Sequence, residues 1–472
     1  MRATKTTAAL AVVLAAGLLA GCGNASSPNG TSRPGGTASG DAKAPVKLAV
    51  PPLYDGAKGW DESLPWVPEH AEPPVAVLPG AAAVAVLTVG EAGGFAVRTR
   101  AAGTGKVLWT SAAWKPPLPL EYAEKKDIPT VLGVEQDGRK LVVVSAHGTV
   151  GKDDLHEGAE VVRLAVFDAA GGPATGRKPL REIDVPVSVK ADNDGWRVSA
   201  DGGRVLVAYG DHGRYPRWGA AVDLVSGKVT PYGAPSGLLK QCEGKNLECG
   251  WSRVVAVSPK GPLVGLGQGF GMPGAWFSDS VLPRGAARTY SFGFSSSWNG
   301  DVYGVAGGRF LAQWHGAEKN GSDGPTVWSV HEVGSGAPLA RMECAYDDFP
   351  TVTSQGNSRT YPVVTSPSGR FLAAGPVAFD LERKQGVCLQ GDGNRKTIAV
   401  GAISDDGTAY GTVDGDASDP VAVLLDLKTA TGDAKVLGAG VQIPQHTSVA
   451  GSGLFVTRDE NENVLVALRP LR

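Results

Sequence analysis

The stretch that decides the fold is Ser366-Pro367-Ser368-Gly369 followed by Arg370-Phe371-Leu372-Ala373, a tight turn that runs directly into a short apolar strand. Ser and Pro favour the early positions of such a turn, and Gly tolerates the positive φ that the turn requires. Strong copies lie at residues 199–208, 258–264 and 404–410, and weaker ones at residues 80–89, 136–144, 307–311 and 453–456. The sequence therefore contains eight repeats of one turn-and-strand unit.

A second turn signal follows most of these strands. It is an acidic or small residue followed by a Gly-containing turn, as in Asp223-Leu224-Val225-Ser226-Gly227-Lys228. Further copies begin at Ala101, Asp168, Glu332 and Asp426. Each repeat then consists of four short strands joined by hairpins, and repeats of about 40 to 60 residues built in this way are typical of a β-propeller. We predict an all-β chain with one propeller of eight four-stranded antiparallel blades, or seven if the divergent fourth repeat is an insertion.

The repeats resemble those of propellers with Ser-Pro-Asp-Gly turns and the quinoprotein-like repeats that end in Asp-x-x-Thr-Gly-Lys-x-x-Trp, over about residues 73–472. The resemblance implies the architecture only, because these motifs form turns. No quinone cofactor is implied, since the chain has no adjacent pair of cysteines, and we expect no cofactor and no metal. The last repeat lacks a fourth strand, and we expect residues 46–50 to supply it and close the ring.

The first 22 residues resemble a bacterial lipoprotein signal. Arg2 and Lys5 precede an apolar run at residues 8–20 that is too short to span a bilayer, and the run ends in Leu19-Ala20-Gly21-Cys22. This resemblance implies cleavage after residue 21 and lipidation, including palmitate, of Cys22. Residues 22–44 are rich in Gly, Ser, Thr and Pro and predict a flexible linker, with the propeller in residues 45–472. We expect attachment to the extracytoplasmic face of the cell membrane, with a composition typical of an actinobacterial surface protein.

Composition excludes a strongly basic nucleic-acid-binding surface. The chain has 45 Lys and Arg residues against 47 Asp and Glu, and a net charge of −2 that becomes −4 when Arg2 and Lys5 leave with the signal. The 66 Gly and 33 Pro residues indicate many tight turns. We expect a monomer that contacts the membrane through its lipid and no nucleic acid.

Besides Cys22 the chain has four cysteines. Outside the cytosol an even number suggests disulfides, and four cysteines allow three pairings. We favour Cys242 with Cys249, within one surface loop, and Cys344 with Cys388, between neighbouring blades. A zinc site is the alternative, although no Cys-x-x-Cys or His-x-x-x-His spacing supports it.

Catalytic signatures are absent from the sequence, which has no Gly-x-Ser-x-Gly, His-Glu-x-x-His, phosphate-binding or dinucleotide-binding motif. Ser199-x-Asp201-x-Gly203 is similar to a sialidase Asp box but lacks its closing aromatic residue, so we interpret it as a turn. The acidic stretch at residues 414–419 is similar to the start of a calcium loop. Because it lacks the required Gly and the bidentate Glu, we interpret it as a solvated hairpin tip.

The loops between the second and third strands offer the best indication of a binding surface. In repeats two to five we predict long loops, at residues 146–159, 210–217, 268–274 and 315–325, and in repeats one and six short ones. Long loops on a rigid scaffold often carry binding, and Trp, Tyr and Arg are frequent anchors. The candidate binding residues in or beside these loops are His147, Asp153, His156, Tyr215, Arg217, Trp218, Trp276, Trp314 and His315.

Two functions remain compatible with the sequence. The first is a noncatalytic binding module for an envelope protein, peptide or glycan, which the predicted tether and the missing catalytic motifs favour. The second is an envelope hydrolase or lyase whose acid and base meet at the central channel, with His147, Asp153 and His315 as the first candidates. The absence of any pair of titratable side chains within about 6 Å of each other on the loop side would count against the second function.

Overall fold

The computed structural model describes residues 45–69, 71–90, 93–119, 128–187, 196–210, 218–232, 239, 253–265, 269–292, 295–319, 322–346, 361–392, 394–413, 420–429 and 431–472. These residues form eight four-stranded antiparallel sheets and one additional two-stranded sheet. The only helical turn among them is a 3-10 segment, Ser278–Ser280. No helix in the described ranges is long and apolar enough to cross a membrane. The predicted eight-bladed propeller is confirmed.

The first four blades follow the order of the chain, each with its strands paired in sequence. Blade 4 is the divergent repeat; it forms a complete sheet, although its last strand has only two residues. The strands are β2–β5 (Val75–Leu78, Ala83–Val89, Phe95–Ala101, Val107–Thr110), β6–β9 (Thr130–Gln136, Arg139–Val150, Ala159–Asp168, Arg181–Pro186), β10–β13 (Trp196–Ser199, Val205–Tyr209, Trp218–Val222, Val229–Tyr232) and β14–β17 (Arg253–Ser258, Gly261–Gly265, Phe270–Met272, Trp276–Phe277).

Blades 5 to 7 follow the same rule, and blade 8 combines the two ends of the chain. A two-stranded hairpin, β18–β19 (Thr289–Phe292, Ser295–Trp298), precedes blade 5. The strands are β20–β23 (Asp301–Ala306, Arg309–Lys319, Ser322–Glu332, Pro338–Glu343), β24–β27 (Val363–Thr365, Phe371–Ala374, Val377–Asp380, Gln385–Cys388), β28–β31 (Ile398–Ile403, Thr408–Val413, Val421–Asp426, Ala434–Ala439) and β32–β34 with β1 (His446–Val449, Ser452–Arg458, Val464–Pro470, Trp60–Leu64).

The closing strand is Trp60–Leu64, so the prediction of residues 46–50 is wrong. Trp60 pairs with Leu468 and Leu64 with Val464 in an antiparallel register. Glu62 of this strand accepts hydrogen bonds from Arg98 and Arg100 of blade 1. Residues 46–50 instead lie beside blades 7 and 8, where the Ala49 carbonyl accepts from Gln442 N. A search of the sequence for apolar alternation overlooks this strand because it contains the polar residue Glu62, which is compensated by arginines of another blade.

The core is divided among the contacts between blades. A buried apolar cluster fills each of the eight contacts between neighbouring blades, including the contact between blades 8 and 1 that closes the ring. Period-2 alternation sends successive side chains of each strand toward opposite neighbours, so every blade contributes to two clusters. Burial of these clusters is what makes the ring cooperative.

The repeated Ser-x-x-Gly segments are structural turns. In the turn at residues 366–369, Ser366 N donates to Phe371 O (3.0 Å) and Gly369 N donates to Ser366 O (2.8 Å). Gly369 has a φ of +73°, a conformation that favours glycine. The turn is also linked to the next blade, since Ser368 N donates to the Asp405 carboxylate (2.7 Å). The motif therefore joins neighbouring blades as well as reversing the chain.

The disulfide between Cys344 and Cys388 is confirmed. It joins the residue after the outer strand of blade 5 to the end of the outer strand of blade 6, with 5.5 Å between the two Cα atoms. Cys242 and Cys249 lie outside the described residues, as do residues 1–44 with the predicted signal, Cys22 and linker. The acidic stretch 414–419 also lies outside them.

The ring has two different ends. At one end, here called the turn face, the first strand of each blade turns into the second, as at residues 366–370. At the other, here called the loop face, the second strand turns into the third, as at residues 151–158. Antiparallel pairing within each blade puts these two connections at opposite ends of the sheet.

Candidate functional site

A cavity of about 770 Å³ lies at the centre of the ring on the turn face. Its lining comes from the innermost strands of six blades and from the turns that follow those strands. Representative lining residues, one from each of these blades, are Leu78, Asp201, Gly307, Thr365, Ile403 and Ser448. The inner strands converge here because the blades are arranged radially, and ligand pockets of proteins commonly have volumes of this size.

Blade 8 forms a polar wall of this cavity. Along β32, His446 and Ser448 are exposed, whereas Thr447 and Val449 are buried. The buried Thr447 holds the wall in place, because its hydroxyl donates to Ile403 O (2.9 Å) and its carbonyl accepts from the Tyr54 hydroxyl (2.8 Å). Alternation along the strand therefore presents His446 and Ser448 to the cavity on a fixed backbone.

The rest of the lining is mixed in polarity. Thr365, Gln445 and Ser448 supply hydroxyl and amide groups, and Val77 and Ala402 supply apolar surface. Hydroxyl and amide groups both donate and accept hydrogen bonds. Such a lining suits a ligand that combines hydroxyl groups with apolar faces.

Asp201 and His446 are the titratable side chains among the described residues that line the cavity. Both are open to water in the cavity, yet the surrounding protein still disfavours their charged forms. This desolvation raises the pKa of Asp201, against the opposing charge of Arg197, and it lowers the pKa of His446. The cavity thus contains a carboxyl group and an imidazole whose pKa values are shifted in opposite directions, each toward its neutral form.

A smaller pocket of about 60 Å³, here called the inner pocket, lies among the inner strands of blades 3, 4 and 5. Arg197, Asp201 and Arg253 line it together with residues 302–305. Because Asp201 lines both spaces, the inner pocket adjoins the cavity.

A buried ion pair fixes one wall of the inner pocket. Arg253 Nη2 donates to Val302 O (2.8 Å) and lies 3.4 Å from the Asp301 carboxylate. Burial raises the pKa of Asp301, and the charge of Arg253 opposes this. The Arg253 guanidinium is therefore oriented by groups of the neighbouring blade.

The long loops predicted on the loop face are in part extended strands. Residues 146–150 continue the second strand of blade 2, a strand of twelve residues, and residues 315–319 continue that of blade 5, with eleven. The corresponding strand of blade 6 has four residues. Part of the loop predicted at residues 268–274 is the third strand of blade 4. The hairpins of blades 2 and 5 therefore stand above the short turn of blade 6, as expected. The long loop predicted for blade 4 is wrong, because its second and third strands end at Gly265 and begin at Phe270, and residues 211–217 of the blade 3 loop lie outside the described residues.

Two predicted histidines have carboxylate partners on the loop face. His147 Nε2 lies 2.7 Å from Glu160 Oε1, with the Trp196 ring 6.0 Å from its own ring centroid. His156 Nδ1 lies 2.8 Å from Asp153 in the exposed hairpin tip. Backbone donation from Leu155 and the bond from His156 lower the pKa of Asp153. Asp153 thus organises a solvated turn, and His147 belongs to the hairpin above blade 2.

The aromatic candidates do not form one surface. Trp314 is fully buried and donates to Ser329 Oγ (2.7 Å), so the expectation that it binds a ligand is wrong. Trp276 follows the turn between the third and fourth strands and therefore lies toward the turn face, where it stacks on Phe310 at 5.8 Å. The predicted position of Trp276 at the loop face is therefore wrong. Residues 270–272 form the third strand, and Trp276 follows the turn at the opposite end of that strand. Trp276 and Trp314 both pack between blades 4 and 5.

Two other candidates lie at the loop face. His315 is half-buried and stacks on Tyr290 of the additional hairpin, with ring centroids 3.6 Å apart. Trp218 begins the third strand of blade 3 and is half-buried against the cluster between blades 2 and 3. Tyr215 and Arg217 lie outside the described residues. The structure therefore does not bring the predicted residues together in one site.

Sequence reasoning did not propose Arg197, Asp201 or His446 as functional residues. A signal was present in the innermost strands, where Arg197 and His446 interrupt segments that are otherwise small or apolar in most repeats. Within the described residues no group of three or more His, Cys, Asp or Glu side chains could hold a metal ion.

No family model and no curated protein matches this sequence. Among solved structures, the chain is similar to a polysaccharide lyase, ulvan lyase, bound to -[GlcA(1-4)Rha3S]-, with 11% identity, a TM-score of 0.38 and coverage of 87% of this chain and 96% of the other. It is also similar to the WD40 repeats of RRP9, with 8% identity, a TM-score of 0.36 and coverage of 87% and 97%. A fungal alcohol oxidase in complex with copper has 12% identity, a TM-score of 0.37 and coverage of 88% and 76%.

These neighbours include enzymes and a noncatalytic repeat protein, and their similarity carries no argument about the site. The class that the fold defines is an eight-bladed β-propeller. The resemblance of the repeats to quinoprotein-like propellers stays a prediction.

Proposed function

We propose that this chain is a noncatalytic binding module of the cell envelope, which holds its ligand in the central cavity of the turn face. The observation that carries the proposal is the cavity itself, about 770 Å³ in volume and walled by six blades. Its walls are strands of a closed ring rather than adaptable loops, so the site is preformed and little conformational entropy is lost on binding.

The lining favours a glycan or a polar peptide over an apolar ligand. Its hydroxyl and amide groups at Thr365, Gln445 and Ser448 suit ligand hydroxyls or amides, and its apolar positions suit the faces of sugar rings or short side chains. This proposal moves the site from the loop face, which the sequence favoured, to the opposite end of the ring.

The test is a binding assay of the full-length protein in detergent against arrays of envelope glycans and peptides. Ser448→Trp places a large side chain in the cavity, and Leu155→Trp does the same on the loop face, where Leu155 is 89% exposed. We expect Ser448→Trp to weaken binding at least about tenfold and Leu155→Trp to leave it unchanged. Thermal unfolding of both variants checks that they fold. Loss of binding in Leu155→Trp alone would contradict the proposal and favour the loop face.

A hydrolase or lyase is the second candidate, and the titratable groups of the cavity favour it. Burial raises the pKa of Asp201 and lowers that of His446, so both shifts favour the neutral forms, and a carboxyl group and an imidazole are groups that general acids and bases use. If the cavity is catalytic, mass spectrometry of bound glycans will detect cleavage that both Asp201→Asn and His446→Gln abolish while binding persists. Binding without cleavage supports the noncatalytic function.

We also propose that a lipid on Cys22 tethers the propeller to the outer face of the membrane. The order of charged, apolar and small residues before Cys22 supports this. The expected result is that Cys22→Ser moves the protein from the membrane fraction to the soluble fraction and removes the mass of the lipid from its N-terminal peptide. Unchanged fractionation and mass would contradict the tether.

A further inference from the structure

Arg197 lies on the innermost strand of blade 3, where most repeats have small or apolar residues. Its neighbours along β10, Trp196 and Val198, pack in the apolar cluster between blades 2 and 3. Alternation along the strand sends Arg197 to the opposite side, where it is exposed and lines the inner pocket.

Among the described residues, the guanidinium of Arg197 has no fixed partner. Within the part of the chain that the structure describes, it makes no hydrogen bond and no ion pair, whereas Arg253 is held by Asp301 and Arg370 by Asp380. Asp201 is near enough for its carboxyl to feel the charge of Arg197. An arginine presented in this way is suited to receive an anionic group, because its planar fork matches a carboxylate.

The other charges around the inner pocket leave Arg197 as the available cation. Asp301 compensates the charge of Arg253. Burial raises the pKa of Asp201, and the charge of Arg197 opposes this. The inner pocket, at about 60 Å³, is much smaller than the adjoining cavity of about 770 Å³, and a carboxylate is a group that it suits. A ligand that places a carboxylate there must keep its larger part in the adjoining cavity.

We infer that the module recognises an acidic saccharide, with Arg197 binding a carboxylate of the sugar in the inner pocket and the cavity holding the neighbouring residues of the chain. This inference rests on the proposed function and names its ligand class. The hydroxyl and amide lining at Thr365, Gln445 and Ser448 suits the hydroxyl groups of a sugar chain, and the tetraglutamate probe of the test distinguishes a sugar from an acidic peptide.

The test is calorimetric titration of the full-length protein in detergent with three probes: tetragalacturonate, its fully methyl-esterified form and a tetraglutamate peptide. The ester removes the charge and keeps the sugar. We expect tetragalacturonate to bind at least about tenfold more tightly than the ester, because a hydrogen bond to a charged group is lost in the ester. We expect Arg197→Gln to abolish this preference and Arg197→Lys to restore part of it.

Arg383→Gln is the matched control, since Arg383 is an exposed arginine on an outer turn of blade 6. Equal binding of the acid and the ester, or a preference that survives Arg197→Gln, overturns the inference while the proposed function stands. Binding of tetraglutamate as tight as that of tetragalacturonate, with the same dependence on Arg197, overturns the saccharide assignment. If no probe binds, the inference fails, and the glycan and peptide arrays decide the proposed function. If Ser448→Trp leaves binding of a probe intact, the ligand lies outside the cavity and the proposed function fails together with the inference.

Discussion

Replacing Arg469 by Met removes the charge that ties the closing strand to the rest of blade 8. Arg469 is fully buried, and its Nη2 lies 2.7 Å from the Asp61 carboxylate and 2.6 Å from Val46 O. Its Nη1 donates to Trp60 O (3.2 Å). One side chain on the last strand therefore holds three groups of the first described segment, and Met fills its volume without replacing any of these contacts.

The expected loss in the free energy of unfolding comes from the Asp61 carboxylate that Arg469→Met leaves unpaired. The Asp61 side chain is only 13% exposed, so Arg469→Met leaves a nearly buried carboxylate without its countercharge. Removing one partner of a buried ion pair typically costs about 3–5 kcal/mol. We expect a loss of this size in the free energy of unfolding, and a smaller loss when Asp61→Asn accompanies it, since the uncompensated charge is then gone.

Urea unfolding at pH 7, followed by tryptophan fluorescence, measures the two single variants and the double variant. The double-mutant cycle should give a coupling energy between about 0.5 and 3 kcal/mol. Arg341→Gln, an arginine whose ion pair with Glu343 is exposed on both sides, serves as the control and should change little. A loss below about 1 kcal/mol in Arg469→Met would refute the reasoning, because the closing strand would then be held by its backbone pairing and apolar contacts alone.

Three further predictions concern stability. Replacing both Cys344 and Cys388 by Ala opens a covalent loop with a sequence separation of 44, and chain entropy predicts a loss of about 4 kcal/mol in urea unfolding. Burial lowers the pKa of His331 to about 4 in the folded state, so the neutral imidazole is favoured and stability falls as the pH drops below 6.5 toward 4; we expect about 2 kcal/mol between pH 7 and pH 5, absent from His331→Gln. Gly375→Ala should cost more than about 1 kcal/mol, and more than Gly93→Ala, because both have positive φ but only at Gly375 would the new Cβ meet a ring, that of Tyr361.

The architecture was predictable from the sequence because each blade contains the same short turn-and-strand pattern. A tight turn of this kind is formed by residues close together in the chain, and its four Ser-x-x-Gly copies with four weaker ones predict eight blades. The pairing of Cys344 with Cys388 followed once the repeats were counted. The fourth blade could be assigned despite its short outer strand, because its two inner strands are joined by the turn Ser258-Pro259-Lys260-Gly261.

The site was less predictable because it depends on which strand ends converge. Trp314 was chosen for its residue type, but the second strand of blade 5 runs well past the ring, so Trp314 lies in the core and not near the loop. Asp201 was interpreted as a turn residue, and the turn is indeed formed; its role at the cavity follows only from the radial arrangement of six blades. The closing strand was missed because two arginines of blade 1 compensate its polar residue Glu62.

The pairing of Trp60–Leu64 with Val464–Pro470 determines when folding can finish during synthesis. Seven blades consist of consecutive segments, and each can form as soon as its own four strands are available. The eighth must wait for the last residues of the chain, across a loop of about four hundred residues whose closure is entropically costly. A nascent or truncated chain therefore exposes the apolar sides of blades 1 and 7. We expect chains that end before residue 464 to be degraded much faster than the full-length chain.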